Sequence, residues 1–395
     1  MLEIDRKQFS RALDLAASVV ETRATIPVLT SLKATANGRF RIEATDLDTS
    51  VAVEVDYTGD HGSFCIPEPR RLRTAINAVG GAAVLLAPAG EDPENPMLSV
   101  DAGGLRCALN THPADHHPGV SGVDREDFLA DIGQAELAQI KRITPAISVE
   151  ETRYYLNGVC VSYLGDWLYR FVATNGHILM IADVPLPNAT GQIPEMTILP
   201  KRWVNLVLQR FGKAKEPVRF TFGATVPRNA PEPVITTAPN AQRIAMSSDL
   251  QGLRLSVHSK LIDGKYPDFN KVIPVSHQHG ARINRGALLR ALNALSSFAS
   301  DKARALMLVF HPGKIEVTLR TPIIGDTAYT IDAEHDLPAA HRVGFNGEYL
   351  LSAIQALRGD EVHLGTDSEP HSPSTITDPT DTTFKVVLMP MRVDC

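Results

Sequence analysis

Apolar positions along the chain keep two periods. Three stretches space them three and four residues apart: DRKQFSRALDLAASVV (5–20), GQAELAQIKRITPAIS (133–148) and NRGALLRALNALSSFAS (284–300). Leu288, Leu292 and Leu295 are one such series, and the pattern predicts amphipathic helices, with Asp5 and Asn284 placed as N-caps. Three further stretches, IPEPRRLRTAINAVGG (66–81), ILPKRWVNLVLQRFGK (198–213) and GFNGEYLLSAIQALRGD (344–360), run about three helical turns from a Pro or Asn starter. Each closes on Gly, which predicts a left-handed C-cap.

Elsewhere the period is two. RFRIEATDLDTSVAVEV (39–55), WLYRFVATNGHILMIADV (167–184) and KIEVTLRTPIIGDTAYTI (314–331) predict half-buried antiparallel strands between the two helices of each set. AAVLLAPA (82–89), PVRFTFG (217–223) and EVHLGTD (361–367) predict one more strand after each second helix. The order strand, helix, strands, helix, strands thus occurs three times, an α+β chain of three repeated domains at 1–125, 126–274 and 275–395. The stretch 223–252 is rich in Pro, Asn and Ala, lacks a clean period, and reads as a loop or hairpin insertion.

With 395 residues, 44% hydrophobic and 21% charged, the chain has material for several ordinary cores. No apolar run approaches the ~18 residues of a bilayer span, and the charged N-terminus does not resemble a signal peptide, so a cytoplasmic protein is expected. Cys65, Cys107, Cys160 and Cys395 are widely spaced and form no CxxC pair, which argues against disulfide scaffolds and zinc fingers.

The net charge of −6 opposes nucleic-acid binding, but its distribution reverses that inference. The six helical segments carry +2, +3, +1, +4, +2 and 0 in chain order, +12 together, leaving −18 on the rest. Arg71 belongs to the second segment, Lys201 and Arg202 to the fourth. Basic helices on an acidic chain predict a polyanion held on the helical face alone. If the helices line a closed ring at roughly 10 Å spacing, six leave only ~10 Å clear, too little for a duplex, whereas twelve leave nearly 30 Å. Two chains could then encircle DNA.

The motifs TIPVLTSL (25–32), ATDLDTSV (44–51), RYYLNGV (153–159), ATNGHIL (173–179), SKLIDGKYPDFNKVIP (259–274), VGFNGEYLL (343–351) and VVLMPMRV (386–393) resemble, in order and over essentially the full length, those of the β subunits of bacterial DNA polymerase III, the sliding clamps. The resemblance implies three clamp domains and a ring-shaped head-to-tail homodimer. It implies topological binding of double-stranded DNA near the nucleoid, and no catalysis, cofactor or metal. The implied partners are the polymerase α subunit, the clamp loader and other replication and repair proteins. Their peptides would enter a pocket of Leu156, Thr174, Gly176, His177, Leu179, Pro267, Val272, Val387, Met389, Pro390, Met391 and Arg392, rimmed by Arg153, Tyr155, Asn346 and Tyr349. Two methionines suit such a pocket because thioethers adapt to different apolar side chains. For DNA the resemblance points to Arg23, Tyr154, Tyr155, Lys201 and Arg202, and for the subunit seam to Cys107, Leu109 and Phe298.

Departures from the family pattern are Asn175 and Ile178, where Asp and Arg are frequent, Lys271 in place of a frequent Arg, Cys107 in place of an aromatic residue, and Asp394–Cys395 after the usual end. Asn175, Ile178 and Cys107, with the 223–252 stretch, motivate an alternative, a clamp paralogue with altered partners. An enzyme is the reading from a different class. His112, Asp115, His116 and His117 cluster in THPADHHPG, but a Pro-rich loop does not fix metal geometry. No motif places a carboxylate or nucleophile beside His177, and no Walker A or GxGxxG sequence supports nucleotide chemistry.

Overall fold

The structure, a computed structural model, describes residues 1–90, 92–225, 242–298, 305–321, 325–338, 340–367, 369 and 372–392. Residues 226–241 of the Pro-rich stretch, and Asp394 and Cys395, lie outside them. Six α-helices occur among the described residues: α1 (Arg6–Ala16), α2 (Pro69–Ala78), α3 (Gln134–Ile143), α4 (Lys201–Phe211), α5 (Arg285–Ser296) and α6 (Gly347–Ala356).

Their starts follow local chemistry. The Asp5 carboxylate accepts from the Gln8 amide at 2.8 Å, and the Asn284 side chain accepts from Ala287 at 2.8 Å. Asn346 accepts from both Glu348 and Tyr349. Each satisfies first-turn amides that lack an intrahelical partner.

Their ends depart from the glycine expectation. The residue after α2 is Val79 and that after α6 is Leu357, both extended rather than left-handed. Arginine side chains supply the missing donors instead. Arg6 donates to the carbonyls of Ile76 and Gly81, and Arg70 to those of Ala17 and Val20. Arg285 donates to Ile354 and Gln355, repeating the role of Arg6 in the last third of the chain. Gly359 is needed for close approach: its amide donates to Asp378 at 2.6 Å, and a Cβ there would lie 2.5 Å from that carboxylate.

The chain divides into two compact units, Met1–Leu137 with Asn188–Ile193 and Arg202–Asp263, and Ala138–Pro187 with Pro194–Lys201 and Gly264–Cys395. The first holds two antiparallel sheets. One runs in the order Thr58–Gly59, Leu2–Asp5, Ala83–Ala89, Met97–Ala102, Leu105–Asn110. Leu105–Asn110 is its edge, paired on one side only among the described residues. The nine-stranded sheet runs Thr190–Gly191, Arg125–Ile132, Val218–Ala224, Gln242–Leu250, Leu253–Lys260, Thr49–Val55, Arg39–Thr45, Leu32–Asn37, Gly62–Ile66. Its core holds Phe40, Ile42, Val53, Phe128, Phe220 and Trp203, whose indole donates to the Val257 carbonyl at 3.1 Å.

Of the stretch read as a loop or hairpin insertion, residues 242–250 are described and form a hairpin arm. Gln242–Leu250 is a paired strand bonded to Val218–Ala224 on one side and Leu253–Lys260 on the other. Its Ser pair and the Pro-rich run before it hide the alternation.

The second unit holds a twelve-stranded antiparallel order: Thr197–Pro200, Gly158–Gly165, Leu168–Thr174, Ile178–Pro185, Asp381–Leu388, Ser374–Asp378, Glu361–Thr366, His279–Asn284, Gly325–His335, Lys314–Thr321, Ala305–His311, Arg342–Asn346. The strand Gly325–His335 changes partners along its length. Gly325–Asp332 bonds to Lys314–Thr321, and Ala333–His335 to Ala281–Ile283. Among the described residues, the other edge of Gly325–Ile331 has no strand beside it.

A buried cation ties α3 to this sheet. Arg142 is 8% exposed, donates to Asp381, Gln139 and the Ala356 carbonyl, and lies 3.7 Å above the Phe384 ring. Paired and stacked, the charge is tolerated where an isolated one would not be.

Candidate functional site

An apolar cleft of about 290 Å³ lies in the second unit. It forms where the turn between the strands Leu168–Thr174 and Ile178–Pro185 meets the end of Asp381–Leu388 and the segment 267–272. The turn is fixed by its own polar side chains. The Thr174 hydroxyl accepts from the Gly176 amide and donates to the Ile178 carbonyl, and Asn175 accepts from the amides of His177 and Ile178. An amide oxygen serves there as well as a carboxylate, so the Asn175 departure leaves the turn intact. Gly176 takes φ +92°, and a Cβ on it would stand 2.7 Å from an Arg153 guanidinium nitrogen.

The strand Asp381–Leu388 is held in register by Ile178↔Leu388 and Leu179↔Val387 pairing, and the Met389 amide then donates to the His177 carbonyl. Segment 267–272 is pinned by the Asp268 carboxylate, which accepts from the Asn270 amide and starts a short helical turn. Tyr266 beneath it is buried, and burial raises its phenol well above the usual range.

Eleven of the sequence-predicted residues line this one cleft: Arg153, Tyr155, Leu156, Thr174, Gly176, His177, Leu179, Pro267, Val272, Val387 and Met389. Asn346, Tyr349, Pro390, Met391 and Arg392 are not among the lining residues. Tyr349 nevertheless stacks on His177 (centroids 6.2 Å apart, planes at 14°), and the Met391 amide donates to Gly344. Met389 and Met391 leave 37% and 40% of their surface exposed, unusual for large apolar side chains. Ile178, Asp268 and Phe269 also line the cleft. Asp268 and Phe269 were visible only as neighbours of Pro267 in a recognised motif. Ile178 places an apolar floor where the family frequently has a cation.

Arg153 is bound by both oxygens of Glu150, at 2.7 and 2.6 Å. Those bonds hold the Glu150 carboxyl below its usual range and raise the guanidinium. Lys271 lies 3.6 Å from Asp268.

The DNA candidates are placed unevenly. Arg23 is exposed, Arg71 is exposed with Glu68 at 3.4 Å, and Lys201 is half-buried at the start of α4. Tyr154 is exposed and meets Tyr155 edge-on at 5.8 Å. Arg202 is held by Asp46, Glu21 and the Val19 carbonyl, so a phosphate must compete with carboxylates for it. Other helix cations are similarly engaged. Arg73 and Arg210 meet Asp14, and Arg6, Arg70 and Arg285 cap helix ends. The formal helix charge therefore overstates what is available to a polyanion.

Cys107 and Leu109 are half-buried on the edge strand Leu105–Asn110, and Phe298 is exposed just beyond α5. In the His-rich loop, His117 is 1% exposed and accepts from the Gly119 amide, and burial lowers its basicity. Among the described residues, no group of three His, Cys, Asp or Glu side chains is placed to hold a metal ion. Burial pushes the Cys65 and Cys160 thiols up to about 11 and about 12, so both are inert as nucleophiles.

The N-terminal, central and C-terminal domains of the DNA polymerase III beta subunit match residues 1–120, 131–268 and 270–392. The chain belongs to that family. It is 30% identical over 406 aligned positions to the beta sliding clamp of Caulobacter vibrioides, covering 99% of this chain and 100% of that one. The beta sliding clamp of Escherichia coli K12 is 24% identical, with 99% of each chain covered. The crystal structure of the DNA polymerase sliding clamp from Caulobacter crescentus superposes with a TM-score of 0.85 at 28% identity, covering 99% of both chains. The beta subunit from Thermotoga maritima shares the fold at a TM-score of 0.82 and 17% identity, with both chains fully covered. This DNA polymerase III beta subunit is a sliding clamp, a non-catalytic accessory of the polymerase. No helix among its described residues is long and apolar enough to cross a membrane.

Proposed function

We propose that two copies of this chain close head to tail into a ring around double-stranded DNA in the nucleoid, and that the apolar cleft tethers the replicative polymerase, the clamp loader and repair proteins by short peptides. One observation carries the ring: how the repeats use their strand edges. Leu253–Lys260, the last strand of the second repeat, pairs with Thr49–Val55 of the first. Asp381–Leu388, the last strand of the third, pairs with Ile178–Pro185 of the second. Among the described residues, one last strand, Leu105–Asn110, and one receiving strand, Gly325–Ile331, remain with a single neighbour each. A second copy can supply both missing joints, with Cys107, Leu109 and Phe298 at the seam. Repeat boundaries near 125 and 274 suit this scheme.

DNA contact is assigned to Arg23, Arg71, Tyr154, Tyr155 and Lys201, with Arg202 in a supporting role, and is directed at phosphate rather than base edges. Retention after loading onto nicked circular DNA tests the proposal. The clamp stays on circles and is lost when the same DNA is linearised; equal retention on both would refute encirclement.

Ile178 in the cleft lining favours a second reading, a clamp paralogue with altered partner choice. Unaltered affinity for peptides that bind other clamps would remove it.

A further inference from the structure

We infer that Glu150 sets the charge preference of the cleft, turning it toward peptides whose apolar anchors are flanked by neutral or basic residues rather than acidic ones. The inference rests on the reading of the cleft as a peptide site and goes beyond it by naming the chemistry of the flanks.

Arg153 is the one permanent cation among the described residues lining the cleft, and Asp268 the one carboxylate. A rim arginine would ordinarily recruit a peptide carboxylate through its planar fork. Here the fork is filled. Nε bonds one Glu150 oxygen at 2.7 Å and Nη2 the other at 2.6 Å. The third nitrogen, Nη1, is turned toward Gly176, where a Cβ would stand 2.7 Å away. Gly176 therefore leaves the space into which the tip of the guanidinium reaches, and Glu150 holds it there. Glu150 itself is half exposed, so its second lone pairs face the solvent that a peptide would displace. The cation of Lys271 is similarly answered by Asp268 at 3.6 Å. Arriving acidic residues meet two carboxylates whose countercharges are taken, while a lysine or arginine meets acceptors with lone pairs to spare. Glu150 acts through Arg153 and is a positioning residue, its backbone carbonyl separately bonded by the Asn157 amide group.

The test uses the purified full chain and two synthetic peptides with the same pair of leucine anchors, one flanked by Asp and one by Lys, titrated by fluorescence anisotropy. The wild type binds the Lys peptide about three- to ten-fold more tightly at low salt, and the ratio shrinks in 0.5 M salt, as rim charge effects do. Glu150→Gln, at an exposed position where folding is not at stake, raises affinity for the Asp peptide and narrows or inverts the ratio. In Glu150→Gln with Arg153→Gln the gain disappears, which a purely structural role would not produce. A wild-type preference for the Asp peptide, or an unchanged ratio in Glu150→Gln, overturns the inference while leaving the peptide site standing. Failure of both peptides to bind overturns the peptide site and the inference with it.

Discussion

The amide of Met389 donates to the carbonyl of His177 at 2.9 Å. The same bond recurs a repeat earlier, from Lys260 to Asp48 at 3.0 Å, where the side chains also join in an ion pair. One backbone joint thus carries an apolar cleft in one place and a polar seam in the other. The difference lies in what the joined residues expose: a thioether and an imidazole, against an ammonium and a carboxylate.

Met389→Ala should weaken peptide binding by about 1–2 kcal/mol, the cost of truncating a partly exposed anchor, with little change in thermal stability. Met391→Ala should cost less, because Met391 does not line the cleft. Isothermal titration of both variants with one peptide checks the order.

Gly176→Ala should lower stability by roughly 1–2 kcal/mol, since φ +92° is strained for any residue with a Cβ. The new methyl also evicts the Arg153 guanidinium. Denaturant unfolding reads the first effect and peptide affinity the second.

Asp381→Asn should cost about 3–5 kcal/mol at pH 7 by leaving Arg142 buried without its countercharge. Burial alone would raise the Asp381 carboxyl, but bonds from Thr383 and Arg142 outweigh it and hold it below the usual range. A carboxyl with a lowered folded pKa contributes stability that is complete above its unfolded value of about 3.9 and lost as pH falls through the folded one. Unfolding curves below about pH 4 should therefore fall less steeply in the variant.

His258 should make a different acid limb. Burial, with Arg41 and Arg243 nearby, pushes its imidazole down to about 4. Between the unfolded value of about 6.5 and that folded one, the unfolded chain takes up the proton, so stability declines by up to about 1.4 kcal/mol per pH unit. His258→Gln should flatten the decline over that window in stability measured against pH.

Leu109→Asp should place a charge on the open edge Leu105–Asn110 and raise the dimer dissociation constant at least tenfold, about 1.4 kcal/mol. Sedimentation velocity reads the shift to monomer, and an unchanged circular dichroism spectrum shows the fold intact.

What the sequence disclosed was local or periodic. Asp5, Asn284 and Asn346 announced helix starts because capping needs only neighbours along the chain. The paired strands inside each repeat were legible from alternation. The pairing of Arg142 with Asp381 spans 239 residues and leaves no pattern in either segment. Helix arginines looked available to phosphate because nothing in one dimension shows that Arg6 and Arg285 reach the carbonyl ends of other helices. Glu150 lay three residues from Arg153 in plain view, yet an exposed acid beside a base reads as solvated surface until the turn at Gly176 is built.

A joint in which every repeat offers a strand and accepts a different one has no built-in stop. Whether copies added at Leu105–Asn110 and Gly325–Ile331 return to their start is a matter of the angle each joint imposes, not of its strength. Substitutions that twist either strand without weakening it would yield open filaments in place of closed particles.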